Sequence, residues 1–280
     1  MKKRIMTKFL FSVVAFLLLI TGCRLSANDR TPSAEREVVK SEQPSADAPS
    51  YEGLERPVGG PRGKELHHVG YVSSFNALTM QPNWVAWELL ADETGGSVEC
   101  HKTFMPDPQL PQSMQVVHAD YTNSGYDRGH MCPAADMKWS SDAMRECFYM
   151  TNICPQAPRL NQNYWERLES ACRRWARCEG RVYVCCGPVF ADFRKSPKIG
   201  RDHKVCVPDG FFKVVLSVRP GAEKAIGFYY DNTDSPQTME QAARTVDQIE
   251  QLTGMDFFSA LPDDLEERLE STLTPLSDWN

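Results

Sequence analysis

The sequence lacks long apolar runs, internal repeats and an excess of positive charge. Its longest apolar run, residues 9–20, is shorter than the roughly 20 residues that a membrane-spanning helix needs, so a permanent transmembrane helix is not expected there. No repeated unit is visible, which excludes solenoid architectures. The chain has 31 Lys and Arg against 37 Asp and Glu, and its net charge of −6 excludes a uniformly basic surface.

Paired Cys-x-x-Cys spacings, which are typical of structural zinc sites, are also absent. Cysteine itself is frequent. Setting Cys23 aside leaves nine cysteines: Cys100, Cys132, Cys147, Cys154, Cys172, Cys178, Cys185, Cys186 and Cys206. In an exported protein such cysteines favour disulfides, and an odd number leaves at least one thiol free or intermolecular. The spacing does not determine which cysteines pair.

The N-terminal residues are typical of an export signal. Four basic residues precede the apolar run: Lys2, Lys3, Arg4 and Lys8. This is the charge and length pattern of a secretory signal peptide. The run ends in Ile20-Thr21-Gly22-Cys23, which resembles the box at which bacterial lipoproteins are cleaved and acylated. We therefore expect residues 1–22 to be removed and Cys23 to anchor the protein through lipid to the cell envelope, at the periplasmic face or the cell surface. The alternative is an ordinary signal peptide with a chance cysteine.

Composition divides the remainder into two parts. Residues 23–63 are rich in Ser, Ala, Pro and charged residues, and they contain few large apolar side chains, so they are expected to form a disordered tether. Residues 64–280 have a length that suits one large domain, and the 41% hydrophobic content of the chain is ordinary for a protein with a buried core.

Strands and helices are both predicted in this domain. Three short runs of β-branched and aromatic residues bounded by Gly, Pro or Asp indicate strands: 182–186, 211–218 and 224–230. Apolar residues recur at helical spacing from Met239 to Leu252 and stop at Gly254, which predicts an amphipathic helix with a glycine C-cap. A second helix is predicted over 164–176. The expected architecture is a strand-rich core with helices packed on it.

Reactive residue types concentrate in two segments. The first reads Asp127-Arg128-Gly129-His130, and the second reads Asn152-Ile153-Cys154-Pro155-Gln156 and continues to Asn161, Trp165 and Glu169. In order and spacing, these residues resemble the motifs of the DNA/RNA non-specific endonuclease family: Asp-Arg-Gly-His, Asn-x-x-Pro-Gln and Asn-x-x-x-Trp-x-x-x-Glu. The resemblance extends over residues 66–270 and includes Asn83-Trp84-Val85-Ala86 and Gly187-Pro188-Val189-Phe190.

The resemblance implies an α+β fold of the ββα-metal (His-Me) finger type, with a central, mostly antiparallel sheet flanked by helices. It also implies metal-dependent hydrolysis of phosphodiester bonds in DNA and RNA with little sequence specificity. By resemblance His130 is the general base, a role for which a neutral imidazole is suited near pH 7, and the acid limb of the pH profile is then expected to report its protonation. By the same resemblance Asn161 is expected to be the only direct protein ligand of Mg²⁺, with Mn²⁺ or another divalent cation as alternatives.

Other roles follow from the same resemblance. Glu169 is expected to hold waters around the metal, and Arg173 to pair with Glu169 and meet a phosphate, although an ordinary surface ion pair is the alternative. Arg128 can bind phosphate through its planar guanidinium, or instead pair with Asp127. Asp127 is interpreted as orienting the backbone or Arg128, and not as a ligand.

Asn152 is expected in the hydrogen-bond network around the metal waters, with a role in the turn as the alternative. Trp165 and Trp175 are interpreted as core residues and not as platforms for bases. Each of the two main residues also has a purely structural alternative. His130 could be a buried histidine that donates to a carbonyl, and Asn161 could be a helix cap. One departure concerns the segment before Phe104, where the family often has a phosphate-binding arginine and this chain reads Glu99-Cys100-His101-Lys102.

Charge is unevenly distributed along the chain. Residues 159–204 contain eleven Lys and Arg and five Asp and Glu, a net charge of +6, whereas residues 231–280 contain two and twelve, a net charge of −10. The basic stretch includes the predicted metal site, so its local field favours a polyanion despite the acidic total.

The expected partners are DNA and RNA substrates and, through Cys23, a membrane. No protein partner is indicated, and a monomer and a dimer are equally compatible with the sequence. Two other function classes stay open: a thiol hydrolase built on Cys132 and His130, and a catalytically inactive, surface-anchored protein that binds nucleic acid.

Overall fold

A computed structural model of the chain describes residues 53–279. The predictions of a signal peptide, a lipid on Cys23 and a tether over residues 23–52 lie outside the described residues. Among residues 53–279, no helix combines the length and the apolar composition that crossing a membrane requires.

The centre of the fold is a seven-stranded antiparallel sheet, and short two-stranded ribbons surround it. The strands are β1 (Val58–Gly59), β2 (Lys64–His67), β3 (Val72–Asn76), β4 (Gln81–Leu90), β5 (Asp127–His130), β6 (Ile153–Gln156), β7 (Arg181–Val189), β8 (Lys198–Ile199), β9 (Val205–Cys206), β10 (Gly210–Ser217), β11 (Lys224–Asp231), β12 (Ala243–Arg244) and β13 (Met255–Asp256). The sheet order is β12-β11-β10-β7-β4-β3-β2, and β5 pairs with β6 outside it. The predicted strands correspond to β7, β10 and β11.

The helices flank the sheet. They are α1 (Ser141–Glu146), α2 (Glu166–Glu179), α3 (Met239–Ala242), α4 (Val246–Thr253) and α5 (Asp263–Ser271), and a π-helical turn, Leu160–Trp165, leads directly into α2. With the antiparallel sheet, these helices confirm the predicted α+β class.

Both faces of the central sheet are buried. Alternate residues of a strand point to opposite faces, and on β7 Val184 and Cys186 pack in one hydrophobic cluster with Trp165 and Trp175, while Cys185 packs in a second cluster with Ile249 of α4. The sheet therefore separates a layer containing α2 from a layer containing α4 and α5.

The folded domain begins earlier than the predicted boundary between residues 63 and 64. Leu54 is buried in the cluster that contains α4, and β1 pairs antiparallel with β13. The prediction that residues 53–63 belong to a disordered tether is therefore wrong, because this segment has both an apolar anchor and a strand partner.

The single helix predicted from Met239 to Leu252 is interrupted. Thr238 and Thr245 each cap a separate helix, α3 and α4, and the residues between them form β12, which pairs with β11. Each threonine belongs to a capping box with a glutamine three residues later. The predicted C-cap is confirmed, since Gly254 ends α4 in the left-handed conformation.

No disulfide links the described cysteines. All nine cysteines of residues 53–279 are free thiols, and seven of them are buried. The prediction of disulfides is therefore wrong for this structure. Cys132, Cys154, Cys172 and Cys186 lie in the large cluster beside α2 and there take the place of small apolar residues.

Candidate active site

The candidate site is built on β5, β6 and the helix that follows them. In the antiparallel pairing His130 lies opposite Ile153, and Gly129 lies opposite Cys154. A Cβ atom at Gly129 would clash with the side chain of Gln156, whose own Cβ would lie 2.7 Å away, so a larger residue would require this side chain to move. The motif glycine therefore leaves room for the Gln156 side chain within the ribbon that carries His130.

His130 lies in an aromatic enclosure. Its ring centroid is 4.8 Å from that of Phe148 and 5.4 Å from that of Phe104. Its Nε2 atom is buried and has no hydrogen-bond partner among residues 53–279. Burial lowers the pKa of His130 to about 4. The imidazole is therefore neutral at physiological pH, with a ring nitrogen free of protein partners.

Asn161 lies within the π-helical turn, and Asp127 fixes the orientation of its amide. The side-chain nitrogen of Asn161 donates to Oδ2 of Asp127 at 2.9 Å, and Gln162 donates to the same oxygen at 2.8 Å. Because a carboxylate only accepts, the amide group of Asn161 must face it and the carbonyl oxygen must face away. The amide thus presents an oxygen of the kind that Mg²⁺ prefers.

This arrangement decides two of the alternatives. Asn161 is not a helix cap, because the helical segment already includes residues 158 and 159, before the π-helical turn. Asp127 orients the amide of Asn161 and forms no ion pair with Arg128 within the described part of the chain.

Glu169 lies in the first turn of α2. Burial raises its pKa to about 8, with further increases from Asp136 and Glu166, while Lys213 and Arg173 act in the opposite direction. Glu169 forms no ion pair within 4.0 Å among residues 53–279, so its charge depends on more distant cations. A nearby positive charge would stabilise the ionised form of this buried carboxylate.

Arg173 pairs with Asp136, whereas the sequence predicted a pair with Glu169. Its Nη1 atom donates to Oδ1 of Asp136 at 2.9 Å, and its Nη2 atom donates to Ser170 at 2.8 Å. Asp136 is fully buried and also accepts from Trp87. The prediction failed because Asp136 comes from a distant loop, which no helical spacing reveals.

Lys213 was not recognised as part of the site from the sequence. It is fully buried on β10, its Nζ atom lies 4.5 Å from the ring centroid of Trp165 and 5.2 Å from that of Trp87, and no hydrogen-bond partner is present among the described residues. Burial lowers its pKa, but the surrounding thiols and carboxylates, Glu169 and Asp136 among them, raise it overall. The sequence did contain an indication of this role, since Lys213 is the one charged residue in the otherwise apolar strand β10.

Arg128 extends over two aromatic rings. Its guanidinium carbon lies 5.8 Å from the ring centroid of Phe104 and 5.7 Å from that of Tyr121, and Nη2 donates to the carbonyl of His118 at 2.9 Å. Arg128, Asp127 and His118 line an open groove of about 510 Å³ beside the ribbon.

Asn152 is fully buried and its side chain is occupied by backbone. Its Oδ1 atom accepts from the amide of Cys132, and its Nδ2 atom donates to the carbonyls of Cys132 and Cys147, all at 2.8 Å. Both amide hydrogens and one of the two carbonyl lone pairs are used by backbone, so the geometry favours the role in the turn. Asn152 thereby holds the segment that follows His130.

The remaining expectations concern aromatic and basic residues. Trp165 and Trp175 are buried, as predicted for core residues, and Trp165 donates to the backbone carbonyl of His130 at 3.3 Å. The His101 ring lies 5.6 Å from Phe148, which places it next to the enclosure around His130, whereas Lys102 is exposed. His101 is therefore the residue of this segment that lies beside the enclosure, near the position where the family often has arginine.

Cys132 does not pair with His130 as a thiol hydrolase requires. The cysteine is fully buried, and burial raises the pKa of its thiol well above the ordinary value. A thiol of this kind is a poor nucleophile. That alternative is excluded.

Comparison with known proteins agrees with this geometry. The family model described as DNA/RNA non-specific endonuclease matches residues 54–264. The chain is 32% identical over 224 residues to "Nuclease 1, mitochondrial" of Schizosaccharomyces pombe, which covers 73% of this chain and 69% of the relative. It is 34% identical over 199 residues to "Endonuclease G, mitochondrial" of Homo sapiens, which covers 67% of each.

Solved structures give the same result. A chain in a crystal structure of the EndoG/EndoGI complex superimposes with a TM-score of 0.67 at 25% identity, and the match covers 72% of this chain and 89% of that one.

Proposed function

The chain belongs to the DNA/RNA non-specific endonuclease family, and from this premise we propose that His130, Asn161 and Glu169 form the centre at which it hydrolyses phosphodiester bonds. The family supports dependence on a divalent cation. The assignment of individual roles depends on one observation above all: Asp127 turns the carbonyl oxygen of Asn161 away from itself, so that a neutral oxygen ligand is presented beside the ribbon that carries His130.

The residues present fit a divalent cation. Asn161 offers the direct oxygen ligand, and the carboxylate of Glu169, whose pKa burial raises to about 8, would be stabilised in its ionised form by a cation nearby. We assign the cation as Mg²⁺, because it binds through few protein oxygens and keeps several of its own waters. When bound it would act as a Lewis acid that stabilises charge developing on the phosphate.

His130 is the general base in this proposal. Its neutral ring accepts a proton from the attacking water, and Phe104 and Phe148 hold the ring in one orientation. Nε2 is buried, so Nδ1 is the ring nitrogen that water can reach, and we assign it as the accepting atom. Trp165 binds the backbone carbonyl of His130, Asn152 binds the backbone of Cys132, and both act as positioning residues.

Polar and positive side chains bind the substrate. Arg128 lines the open groove and carries a planar guanidinium suited to phosphate, and the His101 ring lies beside Phe148 of the aromatic enclosure. Arg173 contributes as a fixed positive charge, because Asp136 and Ser170 already hold its guanidinium. Contacts to phosphate and sugar carry no sequence information, which accounts for low sequence specificity.

The place of action is the outside of the cytoplasmic membrane. The basic N-terminus, the short apolar run and the box Ile20-Thr21-Gly22-Cys23 support export and attachment of lipid to Cys23. The free thiols of the described domain do not oppose this proposal, since seven of them are buried and are protected from oxidation by packing.

The experiment that tests the roles compares metal requirements. His130→Ala should reduce turnover by ~10²–10⁴, the range for loss of a general base, while the Mg²⁺ concentration for half-maximal activity stays unchanged. Asn161→Ala should raise that concentration, and excess metal should restore part of the rate. Asn163→Ala is the matched control, because Asn163 lies in the same π-helical turn but its exposed side chain donates only to the carbonyl of Arg159.

Plasmid cleavage is measured at fixed substrate over a range of Mg²⁺ concentrations for all three variants. If His130→Ala shifts the metal requirement and Asn161→Ala does not, the two roles are misassigned.

A further inference from the structure

An acidic cluster lies on the face of the sheet opposite the candidate active site. Residues 246–271 contain eight Asp and Glu and a single basic residue, Arg268. Asp247 and Glu250 belong to α4, Glu270 belongs to α5, and one carboxylate oxygen from each of the three lies within 4.8 Å of the other two. The cluster is thus formed by two helices that come together only in the folded protein.

The three carboxylates have no balancing cation. The ion pairs formed by residues 53–279 include none of them. Like charges this close destabilise one another unless a proton or a cation intervenes. The negative charge of the three carboxylates is therefore not balanced by any ion pair among the described residues.

Glu270 provides an independent observation. Its side chain points into the protein with only 6% of the residue exposed, and its Oε1 atom is buried without a hydrogen-bond partner. A buried carboxylate normally finds a donor or a cation. Burial, followed by Glu250 and other nearby carboxylates, raises the pKa of Glu270 to about 9, and no basic residue is among the main influences on it.

The rest of the cluster is held in place. The carboxylate of Glu250 accepts from the backbone amide of Phe257 at 2.8 Å, which fixes one of its oxygens. Ile249 of α4 and Leu269 of α5 lie in the same buried cluster, so the two helices cannot separate without exposing apolar surface. The two helices that carry the three carboxylates are therefore held together by packing.

We propose that Asp247, Glu250 and Glu270 bind Ca²⁺ and that the ion links α4 to α5. Ca²⁺ takes carboxylate oxygens at 2.3–2.6 Å, so its ligands lie up to about 5 Å apart, and the three oxygens fit this span. Mg²⁺ is usually bound through one or two carboxylates and keeps several of its waters, so a site with three carboxylates favours Ca²⁺. The site is structural and lies apart from the catalytic cation assigned to Asn161.

Thermal unfolding of the full-length protein tests the proposal with Ca²⁺ alone as the probe. Ca²⁺ at a hundredfold excess over Kd should raise Tm by about 5–10 °C relative to the protein in EDTA. Glu270→Gln keeps the size of the side chain and removes its charge, so it should abolish this rise while its Tm in EDTA equals or exceeds that of the parent. Asp247→Asn should also lose the rise.

Two controls separate this site from its surroundings and from the proposed function. Glu267→Gln removes an exposed charge from α5 outside the cluster and should retain the full rise. Asn161→Ala, which impairs the proposed catalytic cation site, should retain it as well, so failure of one site does not imply failure of the other.

The proposal is overturned if Ca²⁺ leaves Tm unchanged or if Glu270→Gln keeps the whole rise. An equal rise with Mg²⁺ that is also lost in Glu270→Gln would overturn the choice of Ca²⁺. A rise that disappears in Asn161→Ala but persists in Glu270→Gln would assign the effect to the catalytic site and overturn the proposal too.

Discussion

The pH dependence of cleavage should be governed by Glu169 and not, as the sequence suggested, by His130. Burial places the pKa of His130 at about 4 and that of Glu169 at about 8. At pH 7 such a histidine is almost entirely neutral, whereas only about one tenth of such a glutamate is ionised. The group that limits activity below pH 8 is therefore the carboxylate.

The expected size of the effect follows from this difference. At low Mg²⁺ the rate should fall about tenfold for each pH unit below 8, because the ionised fraction of Glu169 falls by that factor. A cation near the carboxylate favours its ionised form, so raising Mg²⁺ should move the acid limb to lower pH. Protonation of His130 should become limiting only near pH 4.

The assay measures kcat/KM for plasmid cleavage between pH 5 and pH 9 at several Mg²⁺ concentrations and constant ionic strength. Glu169→Gln should leave a low activity that is nearly independent of pH between 5 and 8. The matched control is Glu166→Gln, an exposed carboxylate three residues earlier on α2. It should shift the limb slightly to lower pH, since Glu166 itself raises the pKa of Glu169.

Two results would refute this reasoning. One is an acid limb whose midpoint does not change with Mg²⁺ concentration. The other is a Glu169→Gln variant that retains the limb of the parent, which would return the titration to His130.

Three further outcomes are expected. Lys213→Met removes a buried cation that lowers the pKa of Glu169, so the acid limb should move to higher pH in the same pH series. The control Arg174→Met removes an exposed charge from α2 and should leave the acid limb in place. Apart from Cys23, Ellman's reagent should titrate only Cys100 and Cys178 in the native protein and seven more thiols after unfolding, whereas fewer thiols in the unfolded, unreduced protein would restore the disulfide interpretation. Cys23→Ser should move the protein out of the membrane fraction, and a variant that is still extracted only by detergent would contradict lipid attachment.

The sequence predicted the parts of the site that lie close together in the chain. The motif around His130 and the spacing from Asn161 to Glu169 indicated a ribbon followed by a helix, and β5, β6 and α2 have that arrangement. These relations depend on local geometry, which the order of residues largely determines. The strands β7, β10 and β11 were predictable for the same reason, as runs of β-branched and aromatic residues.

Relations between distant segments could not be predicted in this way. The pairing of Arg173 with Asp136 joins α2 to a loop that precedes α1, and the proximity of Lys213 to Glu169 joins the central sheet to the helix above it. Helical spacing suggested only the local partner of Arg173. The desolvation that reverses the expected titration order of His130 and Glu169 likewise depends on which side chains enclose them.

Other errors arose where the sequence contained the correct indication but a stronger pattern favoured another structure. Thr238 and Thr245 each begin a capping box, yet continuous apolar spacing suggested one helix through both. Leu54 was an isolated large apolar residue in a polar segment, and it belongs to the core. The number of cysteines favoured disulfide bonds. Only the structure shows that seven of the nine are buried and contribute to the core by packing.

The π-helical turn Leu160–Trp165 makes the site sensitive to chain length. Such a turn is equivalent to one residue inserted into an α-helix, and α2 is fixed to the core by Leu168, Cys172 and Trp175. Deleting one residue from the turn would let it relax to an α-helix and rotate everything before it by about 100° around the axis. Asn161 would then leave Asp127 while every reactive side chain remained in the sequence. If Asn161 holds the cation as proposed, this rotation alone would remove the cation site, and a motif search that tolerates gaps would still classify the deleted chain as active.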